Sequence, residues 1–305
     1  MDDLTEPFVR LLDDVASPAA VRGWEQGGAV DAAWAVLADS GFLDALVAED
    51  HGGAGLTLSG IEPLIRAIGA RALPLPIAET MVARALAAKA GVALPDGPIV
   101  LSGSPGWPVP GAMLAGHALV GGVRLVALDD LREDTGVHGS LAARIALPGA
   151  PMPIAAVLRA GLIAGAAERL TAMAAEHANT RVQFGKPIGR QQALQQMLSV
   201  MAEDMIACRI AAQLAMAQGL APSIPAAATA KITTSAAAVR LAASAHAVFG
   251  AIGIAAEHDL NLLTRAIHAW RLADGSEGYW EPLLGAARLG GAGASVDWLR
   301  EAIFA

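Results

Sequence analysis

The segment Arg181 to Gly189, RVQFGKPIG, places the cations Arg181 and Lys186 in a short span between long apolar stretches. Pro187 stops a helix from running through it, because proline lacks an N–H and its ring collides with the preceding turn. Such a loop offers guanidinium, ammonium and free backbone N–H donors, the groups that hold a phosphate. The same residues also read as a capped corner between two helices. A second segment to weigh is Asp274-Gly275-Ser276-Glu277. Asp274 reads as a loop residue or helix N-cap, and Glu277 as an acid favoured by a helix N-terminus.

A third segment, VFGAIGIAAEHDLNLLTRAIHAW, begins at Val248. Read alone, its Gly250 is a helix C-cap. The seven histidines show no ligand spacing, so no metal is expected. His258 and His268 read as helix-surface or core residues. Trp270, Tyr279 and Trp280 read as core or interface aromatics, or as the lining of an apolar pocket. The single cysteine, Cys208, lies in an apolar helical stretch and reads as a buried, inert thiol.

Taken together, these segments resemble the acyl-CoA dehydrogenase family. Arg181, Phe184, Gly185, Ile188, Gln192, Met201-Ala202-Glu203 and Met205 are similar to its R-x-x-F-G motif and the helix that follows. Phe249, Gly250, Gly253, Glu257, Leu260 and Arg265 are similar to its FGGxGxxxExxLxxxxRD stretch, with Ala251 and Ala247 as departures. Trp34, Leu37, Gly41, Gly52, Gly53 and Gly55 resemble an N-terminal family segment, with Ala48 in place of its proline. The resemblance implies FAD as cofactor, shared between subunits. It implies that Arg181, Phe184 and Gln192 reach the pyrophosphate and adenosine half, that Gln183 adds a polar contact, and that Phe249, Gly250 and Gly253 touch FAD across the interface.

The reaction implied is α,β-dehydrogenation of an acyl-CoA thioester, in which a carboxylate removes the α-proton and the β-hydride passes to the flavin. Donors to the thioester carbonyl would stabilise the enolate-like charge. Asp274-Gly275-Ser276 falls where most members carry Glu-Gly-Thr, so Asp274 is the first candidate base and Glu277 the next. An alternative family position falls near Ala155, where there is no acid. Expected partners are an acyl-CoA, a homo- or hetero-oligomer with a second acyl-CoA dehydrogenase-like chain, and an electron-transferring flavoprotein.

These residues must be positioned by long helices. Apolar spacing predicts helices over 29–46, 58–72 and 77–89, with Thr57 and Ser59 as N-caps in the Gly-rich turn between the first two. Residues 97–150 break into short apolar runs between Gly and Pro, which predicts a β-rich insert of three to five strands. Long amphipathic patterns over 154–179, 191–218 and 223–249 predict a bundle. The expected fold is mainly α and acyl-CoA dehydrogenase-like: an N-terminal helical domain (1–96), a reduced β domain (97–150) and a C-terminal four-helix bundle (151–305). The insert is shorter than the family's β-barrel, and Trp107-Pro108-Val109-Pro110 does not match the strand that covers the flavin.

Two roles follow. A retained acid at 274–277 points to a catalytic subunit. The short insert points to a non-catalytic partner of a heteromeric enzyme of steroid or branched-acid breakdown. A relative acting on something other than an acyl-CoA is a third, weaker reading. A net charge of -8 excludes a general nucleic-acid binder. Mean hydropathy is +0.48, but alanine supplies most of the excess, and no charge-free run of about 20 strongly apolar residues predicts a membrane span. The acidic start MDDLTEPFVRLLDD lacks the basic region of a signal peptide, so a cytoplasmic protein is expected.

Overall fold

The computed structural model describes residues 2–102, 106–137, 140–147 and 152–304. Five helices come first: α1 (Asp2–Val15), α2 (Pro18–Glu25), α3 (Asp31–Asp39), α4 (Glu62–Ala70) and α5 (Ile77–Ala90). Short strands follow: β1 (Ile99–Ser102), β2 (Pro108–Val109), β3 (His117–Val120), β4 (Arg124–Ala127), β5 (Arg132–Asp134) and β6 (Ala143–Ile145). The long helix α6 (Pro153–Thr180) leads to a hairpin of β7 (Val182–Gln183) and β8 (Lys186–Pro187). Then come α7 (Gln192–Met216), α8 (Ile224–Phe249), α9 (Asp259–Leu272), α10 (Glu277–Gly290) and α11 (Ser295–Ile303).

Three expectations need correction. The helix expected over 29–46 ends at Asp39, because Gly41 turns left-handed (φ 79°) and a 3-10 turn over Phe42–Asp44 follows. Thr57 and Ser59 cap no helix: Thr57 Oγ1 accepts from Gly60 N at 3.0 Å within the turn, and α4 starts at Glu62 without a side-chain cap. The insert has six strands among the described residues, beyond the expected three to five. They form two small three-stranded sheets, β1-β3-β4 and β2-β6-β5.

The core is continuous between the N-terminal helices and the bundle, while the insert has a smaller apolar cluster of its own. Helix α6 is central and packs on α4, α7, α8 and α9. It meets α4 backbone to backbone: a Cβ on Gly165 would lie 2.0 Å from Arg66 O, and one on Gly69 would lie 2.1 Å from Leu162 O. Only glycine permits that approach. Arg66 then ties the pair, donating to Glu62 on its own helix and at 2.8 Å to Glu168 on α6.

The segment 224–254, mostly α8, is long and apolar enough by composition to cross a membrane. It carries Lys231 and Arg240, however, and its alanines pack against α6, α7, α9 and α10. Cys208 is buried as expected. Burial, with Asp204 beside it and Arg240 opposing, pushes its thiol up to about 12.

Candidate functional site

The residues singled out in the sequence fall on two sites of opposite character. The first is an exposed edge. Helix α6 ends at Thr180, and the β7–β8 hairpin that follows turns at Phe184 (φ 54°) and Gly185 (φ 76°). A bulky residue in the left-handed region is a genuine outlier. Its ring is nonetheless held out in solvent, with Phe184 91% exposed. Arg181, Gln183, Lys186, Arg190 and Gln192 are exposed around it. Among the described residues, Arg181, Lys186 and Arg190 make no ion pair. Gln192 opens α7, whose N-terminus has no side-chain cap; Leu194 N and Gln195 N donate back to Gln191 O, which leaves the N–H groups of Gln192 and Ala193 at the helix start.

The 249–253 turn lies behind this edge. Phe249 stacks on His177 at 4.3 Å between ring centroids and meets His258 edge-on at 5.0 Å. Burial, Arg181 and His258 together hold His177 below the usual histidine range. Gly250 is the C-cap of α8 (φ 64°, ψ -144°), and nothing lies within 4 Å of the Cβ it lacks, so space is open there. Gly253 has an internal reason: a Cβ would lie 2.8 Å from Leu260 Cδ2 and 2.9 Å from Phe249 Cβ. Arg265 is a tie between segments, donating to Glu25 of α2 at 2.6 Å and to Asn261 at 2.8 Å.

The second site is buried. Asp274 is 8% exposed and sits in a left-handed turn (φ 54°), followed by Gly275 (φ 88°). Asp tolerates this conformation better than most residues. Trp280 Nε1 donates to Asp274 O at 2.9 Å and fixes the turn. A Cβ on Gly275 would lie 2.7 Å from Trp280 Nε1 and 3.2 Å from Trp107, so the close aromatic cover requires glycine. Trp107, which matched nothing expected, packs edge-on against Tyr279 at 4.8 Å and so joins the insert to this turn.

The Asp274 carboxylate accepts from Arg159 Nε at 2.9 Å. Arg159, on α6 and 1% exposed, also donates from Nη1 to Glu79 of α5. Burial works against the guanidinium, but Glu79 and Asp274 outweigh it and hold Arg159 above the usual arginine range. Arg159 Nη2 has no partner among the described groups. Lys231 lies in the same cluster. Its Nζ donates to Trp270 O at 2.9 Å, Arg271 O at 2.7 Å and Ser235 Oγ at 3.3 Å, closing the C-terminus of α9. Burial, opposed by Asp274, brings its pKa down to about 7. Glu277 borders the cluster, within reach of the Lys231 charge: it is the first residue of α10, pairs with Arg271 through Oε1, and its buried Oε2 has no partner among the described groups. Burial raises its pKa, but the Arg271 bond outweighs that and leaves Glu277 below the usual carboxylate range. The N-cap of α10 is Ser276, not Asp274.

Sequence reasoning missed Glu79, Arg159 and Lys231. The signal was available: Arg159 stands alone in PIAAVLRAGLIAG, and Lys231 follows an alanine run. A single charge on a helix that is apolar all round must be buried, and therefore paired.

The exposed edge, not the buried turn, has the donor set of an anion site. Unpaired Arg181, Lys186 and Arg190, an uncapped helix start and a protruding aromatic ring fit the diphosphate and ring parts of FAD. They fit as an offered surface, since neither the crevice beside α9 nor the polar cavity between α1, α4 and α9 includes them.

A model of the C-terminal domain of acyl-CoA dehydrogenases matches residues 152–287. The chain is similar to the acyl-CoA dehydrogenase IpdE2 of Mycobacterium tuberculosis, 29% identical over 87% of this chain and 90% of that one. It is 32% identical to the acyl-CoA dehydrogenase FadE34 of the same organism over 87% of this chain, but that match spans only 44% of FadE34. Among solved structures, the ChsE4-ChsE5 complex from Mycobacterium tuberculosis has a TM-score of 0.79 at 21% identity, covering 96% of this chain and 98% of that one. A variant of the Tcur3481-Tcur3483 steroid ACAD has a TM-score of 0.80 at 21% identity, covering 93% and 96%. The expected fold class is thereby met.

Proposed function

The chain belongs to the acyl-CoA dehydrogenase family, and from that premise we propose that it is the non-catalytic half of a two-chain, FAD-dependent acyl-CoA dehydrogenase. It completes the cofactor site of a second acyl-CoA dehydrogenase-like chain, and the α-proton is removed by that chain. The observation that carries this reading is the state of the two acids. Asp274 is held by Arg159 in the core and Glu277 is held by Arg271 through Oε1 alone, while Arg181 and Phe184 stand free at the surface. A base for a weakly acidic C–H needs an unengaged carboxylate facing substrate.

Bound FAD would take up the β-hydride of the acyl-CoA. For this chain, Arg181 gives a fork of donors for a phosphate, the α7 start adds backbone N–H groups, and Phe184 lays an apolar face against the partner's side of the cofactor. Gln183, Gln192, Phe249, Gly250 and Gly253 line the same edge in this reading. Two relatives support a paired arrangement. The match covers 44% of FadE34, which leaves room in that chain for a second unit of like size, and ChsE4-ChsE5 is named as a complex. The substrate is an acyl-CoA of lipid or steroid breakdown, the compartment the cytoplasm and the electron acceptor an electron-transferring flavoprotein.

The test is co-expression with a second acyl-CoA dehydrogenase-like chain of the same genome, then flavin absorbance and turnover with a ferrocenium-type acceptor. Flavin is expected in the pair and not in this chain alone. Asp274→Asn and Glu277→Gln, made in this chain of the pair, should keep turnover within about 3-fold, whereas loss of a general base costs roughly 100-fold or more. A collapse of that size in either variant assigns the base to this chain and ends the partner reading. Absence of flavin from both preparations ends the FAD reading.

A further inference from the structure

The polar cavity between α1, α4 and α9, with α6 as its fourth wall, holds about 400 Å³, within the range of small-molecule pockets. No residue of the hairpin edge or of the buried charged cluster lines it. Two ion pairs fix its walls. Arg71, the C-cap of α4, donates from Nε to Asp13 of α1 at 2.7 Å. Arg22 of α2 donates to Asp259, the first residue of α9, at 2.7 Å. Arg71 also donates from Nη1 to Ala67 O at 3.2 Å, which holds its guanidinium against α4. Walls tied in this way are in place before a ligand arrives, so binding does not have to order them.

The charges around this cavity do not cancel. Asp13 and Asp259 each have an arginine, whereas Arg169 of α6, exposed and lining the cavity, pairs with no acid among the described residues. With Arg22 counted, three arginines face two aspartates, one positive charge in excess. The groups left uncommitted among the described residues include further donors. Arg71 has Nη2 to spare beyond its two bonds. Ser17 caps α2 by accepting from Ala20 N at 3.2 Å, which leaves its hydroxyl hydrogen for another acceptor. Met173 of α6 and Leu262 and Leu263 of α9 add apolar wall that offers no hydrogen bond.

We propose that this cavity is a ligand site of its own, taking a small monocarboxylate with an apolar body. The carboxylate meets Arg169, whose planar fork matches its two oxygens, with Arg71 Nη2 and the Ser17 hydroxyl as further donors. The body lies on Met173, Leu262 and Leu263. A doubly charged head such as a phosphate ester is disfavoured, because Asp13 and Asp259 would oppose its second charge. This goes beyond the cofactor role and does not depend on it, since none of these residues belongs to the hairpin edge or to the turn at 274–277.

The test is calorimetric titration of the purified full chain with three probes that share one ring system: 2-naphthoate, its uncharged amide 2-naphthamide, and 2-naphthyl phosphate. It is run at about pH 8, where the phosphate carries two charges. One naphthoate per chain is expected, bound about ten-fold more tightly than the amide, the low end for a charged hydrogen bond because Arg169 is exposed. Arg169→Gln, folded by circular dichroism, should bring naphthoate down to the affinity of the amide and leave the amide unchanged. Arg124→Gln, on β4 and outside the cavity, should alter neither. The proposal is overturned if the Arg169→Gln chain binds naphthoate as the parent does, or if the parent binds the amide or the phosphate as tightly as naphthoate. Absence of binding heat with millimolar naphthoate overturns it equally.

Discussion

The hairpin edge at Arg181–Gly189 and the turn at Asp274–Glu277 look alike in the sequence, as short polar breaks between long helices. In the structure they are opposites. At the hairpin the cations are unpaired and Phe184 is pushed outward in a conformation that disfavours it. At the turn each acid has an arginine partner and the backbone is locked by Trp280. The hairpin's cations find no acid inside the chain, whereas both acids of the turn find an arginine there. Groups left unsatisfied at a surface are the ones free to meet something else, while satisfied ones build the fold. This contrast, more than either motif, is what supports the proposed cofactor role of the hairpin and a structural role for the turn.

The sharpest way to break that comparison is Arg159→Met. It leaves Glu79 and Asp274 as buried carboxylates without a counter-charge, and removing one member of a buried ion pair costs roughly 3–5 kcal/mol. Urea unfolding should show a loss of that order. Glu79→Gln with Asp274→Asn, added to Arg159→Met, should recover a large part of it, because the cost is uncompensated charge rather than lost attraction. An Arg159→Met chain as stable as the parent would mean that the turn is not architecture.

Arg181→Ala probes the other side. Charged hydrogen bonds are worth about 1.5–3 kcal/mol, so flavin affinity in the assembled pair should fall about ten- to hundred-fold. The stability of the isolated chain should stay within about 0.5 kcal/mol, as for an ordinary surface substitution. An equal loss of stability and flavin would erase the distinction between the two regions.

Lys231 adds a pH signature to the buried side. Its pKa is about 7 folded against 10.5 unfolded. Between these values the unfolded chain binds the extra proton, so stability rises with pH, by up to about 1.4 kcal/mol per unit. Below pH 7 both states are protonated and the dependence disappears. Urea midpoints from pH 7 to 9 should climb, and Lys231→Met should flatten the slope. A parent profile already flat in this window would show that Lys231 keeps its proton through its bonds to the α9 carbonyls.

The helices were legible because long amphipathic and alanine-rich stretches carry their own period: α5, α6, α7 and α8 lie within a residue or two of expectation. The exposed edge was legible because Gly185 and Pro187 mark a turn by local chemistry alone. The charged cluster was not. Glu79, Arg159 and Asp274 come from three distant segments, and only the packing of α5 on α6 and the return of the chain after α9 bring them together. Asp274 was read as an acid available for chemistry because Asp-Gly-Ser falls where the family carries Glu-Gly-Thr, and its partner, 115 positions away, leaves no local mark in the sequence.

Phe184 gives the smallest effect and the finest discrimination. Its left-handed backbone costs of order 1 kcal/mol, and its ring recovers nothing by burial within the chain. Asn adopts that conformation more readily. Phe184→Asn should therefore stabilise the isolated chain by about 0.5 kcal/mol in urea unfolding. In the assembled pair the same substitution should weaken association or flavin retention. Opposite signs in the two preparations would show that a residue unfavourable for this chain alone is retained for what it touches outside it. Destabilisation in both would place Phe184 among the residues that build the fold, and the hairpin would then differ from the buried turn only in degree.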